Sequence, residues 1–303
     1  MIVTRTHRSA RGAALVVAML LTALGAAVAV QMIVPLSGWL EREYRARDTQ
    51  ASYTLADASA AWALTVLAAD ARLGPVDHYG ELWATPLPAT PVEGGSIEGR
   101  ITDLQARFNL NSVAPRGVRS APNIALARTL FAQAGVPVGL VDVLADSIDR
   151  DEISDDGQSE RQRYGRNLRN APLRRFADLL DVPGITEAHV SALMAAVTVL
   201  PEATPINANT AAPTLIAAAF PGATRETLDR AIARRAQQPF ASAGDLAAAI
   251  GQPLPDSMFS ANTQYFAVDA TIRFERAAHR VQLQISRPPN ARPIVISRLI
   301  ANA

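Results

Sequence analysis

The spacing of apolar and polar positions changes along this chain, and each change marks a different element. Ala13 to Val34 is apolar apart from Thr22 and Gln31, and from Ala13 onward no charged side chain occurs before Glu41. About 20 such residues, at ~1.5 Å each, match the ~30 Å hydrocarbon core of a bilayer. A helix is the single segment able to cross it, because its backbone groups bond within the segment. Arg5, His7, Arg8 and Arg11 precede the run without an acid, which places the N-terminus in the cytoplasm and the rest beyond the membrane. Pro35 is expected to kink the helix, and Trp39 falls where an interfacial aromatic belongs. Leu40, Tyr44, Leu55, Ala58, Ala61, Trp62, Leu64 and Leu67 then form a stripe, with Glu41, Arg42, Glu43, Arg45, Arg47 and Asp48 largely on other faces. The pattern predicts a spine helix ending near Leu73-Gly74-Pro75.

The next stretch, 75–95, is rich in Pro and Gly and reads as a loop. Ser96 to Asp103 alternates Ile97, Gly99 and Ile101 against Glu98, Arg100 and Thr102, the pattern of a half-buried strand. From about Val113 to Asn262 the period becomes helical, in short pieces separated by Pro and Gly. Ala121–Ala134, Val138–Ile148 and Glu187–Val199 are expected helices, with a further one after Phe176. Asn209 or Thr210 is expected to cap a helix ending at Phe220-Pro-Gly222, Thr224 to cap another reaching about Gln237, and Ser242 with Asp245 to form a capping box. Alternation returns at Tyr265–Phe274, His279–Arg287 and Arg292–Ile300, read as three strands joining Ser96–Asp103 in one antiparallel sheet on the spine helix. That is an α+β arrangement.

Composition narrows the chemistry. The chain has 303 residues, 49% hydrophobic, with formal net charge +1. A balanced charge gives no case for nucleic acid as a partner. The absence of Cys removes disulfides, thiolate metal sites and Cys nucleophiles. His7, His78, His189 and His279 are scattered singly and read as surface or packing residues. No G-x-S-x-G, H-E-x-x-H or Walker-type loop occurs, so no enzyme is expected.

The N-terminal run admits a cleaved secretory signal, a plain anchor, or a cut between Gly12 and Ala13 that leaves the apolar helix on the mature chain. The first requires a small-residue cleavage site after the run, and no A-x-A site sits cleanly there. A basic leader ending in Gly12, followed by the apolar helix, resembles a type IV prepilin or pseudopilin. Pro86 through Asn111 reads P-L-P-x-x-P-V-E-G-G-S-I-x-G-R-I-x-D-L-Q-x-R-F-N-L-N, and Asn207-Ala-Asn-Thr-Ala follows later. These segments resemble the type II secretion minor pseudopilin family called general secretion pathway protein K (GspK). The fifth residue after the expected cut is Val17, where most pilins and pseudopilins carry Glu. A buried carboxylate needs a partner in the membrane, and a subunit with no neighbour above it can dispense with one.

The resemblance implies a prepilin leader over 1–12, a transmembrane helix over 13–34, and a pilin-like domain formed by 35–112 and 263–303. A SAM-like helical domain, 113–262, is inserted within it. It implies cleavage after Gly12 by a prepilin peptidase and N-methylation of Ala13. The expected partners are the I- and J-type minor pseudopilins, then the H-type and the major pseudopilin, the inner-membrane platform, and the secretin or secreted cargo. The expected address is the inner membrane, single pass, with most of the chain periplasmic. The implied role is at the pseudopilus tip, priming assembly. A membrane-anchored periplasmic binding module and a minor pilin of a type IV pilus are the alternatives.

One cluster carries candidate metal chemistry. Asp149, Asp151, Asp155, Asp156 and Glu160 crowd a Gly-containing stretch after a predicted helix, a donor set suited to a hard cation such as Ca²⁺. The spacing is not that of an EF-hand, and a solvated acidic loop is the other reading. In the resembling family an I-D-x-D segment, then G-A-E-D and a Tyr, contributes to bound calcium. Ile148-Asp149-Arg-Asp151 and Tyr164 match, whereas Gly157-Gln-Ser-Glu160 departs from the second part. The turns Val182-Pro-Gly-Ile-Thr and Phe220-Pro-Gly-Ala-Thr resemble helix-hairpin-helix elements, but neither has the second Gly that phosphate binding uses. They read as structural hairpins.

Overall fold

A computed structural model describes residues 8–154, 157–254, 257–274 and 277–302. Helix α1 runs Arg8–Asp70 and is 63 residues long, about 95 Å at ~1.5 Å per residue. It passes through Pro35 as one continuous element. A proline removes one intrahelical bond, and the turns on either side still close. None of Gly12–Met32 is buried among the described residues. The C-terminal part of α1 is different. Ala56, Ser59, Ala63, Leu67 and Asp70 are buried, three or four positions apart, on one face. The small side chains of Ala56, Ser59 and Ala63 let that face lie close to a sheet.

The sheet begins with β1 (Leu87–Val92) and β2 (Gly95–Asp103). The chain then leaves it through β3 (Phe108–Asn109), α2 (Ala121–Gln133), α3 (Leu140–Ile148), α4 (Glu160–Tyr164), α5 (Glu187–Leu193), β4 (Val197–Thr198), β5 (Ile206–Asn207), α6 (Pro213–Ala219), α7 (Arg225–Gln237), α8 (Ala243–Ile250) and β6 (Phe259–Ser260). It returns as β7 (Tyr265–Phe274), β8 (Ala277–Ser286) and β9 (Ile294–Asn302). The sheet order is β1-β2-β7-β8-β9, antiparallel throughout. Asp103 at the end of β2 pairs with Phe266 in β7, so exit and re-entry of the helical block are adjacent.

Strand β1 lies in the stretch expected to be a loop. Pro88 and Pro91 are tolerated because β1 is an edge strand, where a missing N–H costs little. Its turn into β2 uses Gly94 at φ +79°. A Cβ on Gly95 would run into the carbonyl oxygen of Arg273 on β7.

Among the described residues two large apolar cores result, beside a small cluster of Leu104, Leu200 and Tyr265. Against α1, the sheet buries Ile97, Ile101, Phe266, Val268, Ile272, Val281, Leu283 and Ile285. Trp83 closes this core edge-on to Phe266, with centroids 5.2 Å apart. The second core fills the helical block, from Phe108 to Phe259.

Within the block, two N-x-N segments repeat one device. Asn109 and Asn207 each accept from the backbone N–H two residues on, at 3.2 and 3.0 Å. Strand β3 pairs in parallel with β4, and β5 in parallel with β6. Asn111 donates to the carbonyls of Leu173 (2.8 Å) and Leu200 (2.7 Å) and accepts from the Leu173 N–H (2.8 Å). Asn209 likewise donates to Phe240 O at 3.0 Å and accepts from Phe240 N at 2.8 Å. These amides stand in for backbone across the block. The expected caps are therefore not made: the N-cap of α6 is Ala212 without a side-chain bond, and Thr210 donates to Asp103 Oδ2 instead. Thr224 does cap α7, and Ser242 with Asp245 forms a capping box on α8. The helix expected to reach Val199 stops at Leu193, because Val197 and Thr198 pair with β3.

Candidate cation site

Helix α3 buries Val141, Leu144, Ala145 and Ile148, and its C-cap, Asp149, is already extended at ψ 174°. Asp149 is thereby turned inward at 1% exposure. The chain next folds back on itself. Ile153 bridges Ser159, Ser154 N donates to Gln158 O at 2.9 Å, and Gly157 takes φ +78°. Asp155 and Asp156 lie outside the described residues. Ser159 caps α4, which places Glu160 in the first turn and buries it.

This geometry brings Asp149, Asp151 and Glu160 together, with one carboxylate oxygen of each within 4.8 Å of the others. Both Asp149 oxygens, Glu160 Oε1 and Asn170 Oδ1 are buried without a hydrogen bond among the described residues. Asn170 is held by its Nδ2, which donates to Asp151 O at 2.6 Å. Behind the cluster sits Asp146, fully buried, accepting from the Tyr164 hydroxyl at 2.6 Å and paired with Arg119. Burial first, then the charges of Asp151, Asp146 and Glu160, push the Asp149 carboxyl up to about 7. Burial likewise raises Glu160. Tyr164 is raised by burial and by its bond to Asp146.

Such a group is unfavourable as three bare anions and as a set of unbonded oxygens. All of its donors are hard oxygens, and the orphaned ones are buried at one place. The residues present fit a divalent cation of the Ca²⁺ type. The sequence pattern locates Asp149, Asp151 and Glu160. It misses Asn170, whose approach depends on the chain returning after α4, and it leaves Asp146 unmarked.

A second acidic group, Asp70, Asp77 and Glu81, also comes together, but it already holds a cation of its own. Arg287 donates to Asp70 Oδ2 at 2.7 Å and to Asp77 Oδ1, and its guanidinium lies 4.6 Å from the Phe266 ring centroid. Burial, and next the Glu81 charge, push Asp70 up to about 6. This cluster ties the end of α1 to the segment after β8. Gly12 and Ala13, the positions expected to be processed, lie in the exposed, apolar part of α1.

A long helix that is bare and apolar at one end and packed on an antiparallel sheet at the other defines a membrane-anchored, pilin-like assembly protein. Here it carries a helical block bearing an oxygen-rich acidic site. Two family models, both described as "Type II secretion system (T2SS), protein K", match residues 106–202 and 206–269. They fall on the two N-x-N halves of the block. Type II secretion system protein K of Pseudomonas aeruginosa is 32% identical over 228 residues, covering 67% of this chain and 66% of that protein. The Klebsiella pneumoniae protein of the same name is 30% identical over 241 residues, covering 71% of each. A chain of the crystal structure of the GspK-GspI-GspJ complex from enterotoxigenic Escherichia coli shares the fold. Its TM-score is 0.67 at 22% identity, covering 84% of this chain and 99% of that one. The chain belongs to the type II secretion system protein K family, the minor pseudopilins called GspK.

Proposed function

We propose that this chain is a tip subunit of the periplasmic pseudopilus, joining I- and J-type minor pseudopilins and priming filament assembly. The observation that carries this is the exposed length of α1: none of Gly12–Met32 is buried among the described residues, while the other end of the helix is locked into the sheet. A rod of that kind is completed by sister rods and lipid. The solved relative, titled as a complex of GspK, GspI and GspJ, supports the same partners. Val17 in place of an acid removes a charge that only a neighbour above would neutralise. Residues 113–262 act in this reading as the inserted module, flanked by the pilin-like parts 35–112 and 263–303. Gly12–Ala13 is the prepilin peptidase cut, with Ala13 methylated afterwards. The membrane is the inner one. The H-type and major pseudopilins, the platform, and the secretin or cargo are later contacts of the assembled tip. No reaction is assigned to the chain.

Co-expression of the full chain with I- and J-type minor pseudopilins, extraction in mild detergent and purification through one tagged subunit tests the assignment. A stoichiometric ternary complex is expected. Recovery of this chain alone contradicts it.

We also propose calcium as the cation of the acidic site, held by Asp149, Asp151 and Glu160 with the Asn170 carbonyl. Asp155 and Asp156 are adjacent candidates. The ion supplies positive charge and oxygen coordination, and the role of the site is to close the loop between α3 and α4.

A further inference from the structure

Between the sheet and the helical block lies a cavity of about 500 Å³. Much of its wall is apolar, with Leu130, Ala196 and Leu215 among the lining residues; Tyr79, Arg107 and Arg235 supply polar groups. Among the described lining residues Asp103 is the one acid, and its oxygens are already engaged. It accepts from Gln105 N at 2.7 Å, Asn207 Nδ2 at 2.9 Å and Thr210 Oγ1 at 2.5 Å.

Arg235 is half-buried on α7. Its Nη1 donates to the carbonyls of Ala208 (2.8 Å) and Ala211 (2.7 Å), which fixes the plane of the guanidinium. Nε and Nη2 make no hydrogen bond among the described residues. Neither Arg235 nor Arg107 has an ion-pair partner there. Burial lowers the Arg235 pKa, the mark of a cation short of solvent. A desolvated guanidinium ordinarily faces a carboxylate, and its planar fork suits one. At the mouth, the Tyr79 hydroxyl is turned onto Thr210 O at 3.1 Å, and Arg107 is exposed.

We propose that this cavity is a carboxylate-binding site. Arg235 takes the acid group, Arg107 adds positive charge at the entrance, and an apolar stem lies against Leu130 and Leu215. The site is separate from the acidic cluster and stands whether or not that cluster holds calcium. The competing role for Arg235 is purely structural, tying α7 to the 208–211 loop.

Titration of the detergent-solubilised full chain with N-acetyl-leucine and N-acetyl-leucinamide, read by saturation-transfer NMR, separates the two. The acid is expected to bind about tenfold or more tightly than the amide. R235Q is expected to erase that preference. R107Q, at an exposed position without an ion pair among the described residues, is expected to weaken the acid several-fold. Equal affinity of acid and amide for the wild-type chain overturns the proposal. So does a preference untouched by both variants. A decapeptide ending in leucine, with a free C-terminus, distinguishes the source: tighter binding than N-acetyl-leucine indicates a carboxylate borne by a protein, and equal binding a free organic acid. Either result keeps the site.

Discussion

The Tyr164 hydroxyl donates to Oδ2 of Asp146 at 2.6 Å, joining α4 to α3 across the loop that carries the acidic cluster. This bond lies behind Asp149 and Glu160 and holds the base of the loop, leaving the carboxylates of the cluster itself to be drawn together by a cation. The loop can then present three acids at one point, at a cost that a cation of the proposed kind would offset.

Calcium removal is therefore expected to lower the melting temperature of the detergent-solubilised chain. A ligand at about 100-fold over its Kd adds roughly 2.7 kcal/mol, a shift of about 4 °C for a chain of this size. Asp149→Asn is expected to abolish the shift while leaving the calcium-free chain no less stable, since both Asp149 oxygens lack partners. Scanning fluorimetry in calcium and in EDTA checks this. Identical curves would remove the site.

The pH dependence has a definite sign. Asp149 is pushed up to about 7 and Asp70 up to about 6 in the folded chain, whereas an unfolded Asp titrates near the ordinary value of about 3.9. The folded state thus binds these protons more tightly. Without calcium, these two groups make the fold more stable as pH falls from about 7 toward 4, and less stable as it rises through 6 and 7. Calcium competes with the Asp149 proton and should flatten the upper part of that curve. Urea midpoints at intervals across this range, with and without calcium, give the comparison. A calcium-free chain that gains stability on going from pH 5 to 8 contradicts the assignment.

Arg287 holds two buried acids and stacks on Phe266. Arg287→Met removes the cation and strands Asp70 and Asp77, an expected loss of about 3–5 kcal/mol. Asp70→Asn in that background should recover part of the loss. Denaturant titration of both variants decides it, and a near-neutral Arg287→Met means the cluster does not bind α1 to the C-terminal segment.

Asn111→Ala empties three backbone bonds at once, two of them to Leu173. Because the freed groups stay buried, about 3 kcal/mol is expected. Asn111→Asp should be comparably damaging, since an acid cannot donate to the Leu200 carbonyl. Native-state hydrogen exchange at the Leu173 amide reads this locally; unchanged protection would show that the amide is dispensable.

The regular elements were legible because their signals are local. Tyr265–Phe274 alternates cleanly and is β7 to the residue, and the Thr224 and Ser242 caps announce α7 and α8. What escaped reading is what distant partners decide. Pro88 and Pro91 hid β1, whose place at the sheet edge appears only when the sheet is assembled. Thr210 and Asn209 look like helix caps, yet Asp103 and Phe240 offer them buried partners far away in sequence. At the acidic site, Asp149, Asp151 and Glu160 were visible as a run, but Asn170 and the supporting Asp146–Tyr164 bond were not. Arg287 and Asp70 are 217 positions apart, beyond any local pattern.

The proposed place of this molecule in a filament requires that the apolar rod is retained. Mass spectrometry of the N-terminal peptide, from protein extracted out of membranes of cells making an active prepilin peptidase, measures it directly. The expected result is a chain beginning at N-methylated Ala13 with Ala14 onward intact. A mature chain recovered in the soluble fraction, starting beyond Val34, contradicts the claim that this molecule is held among sister helices.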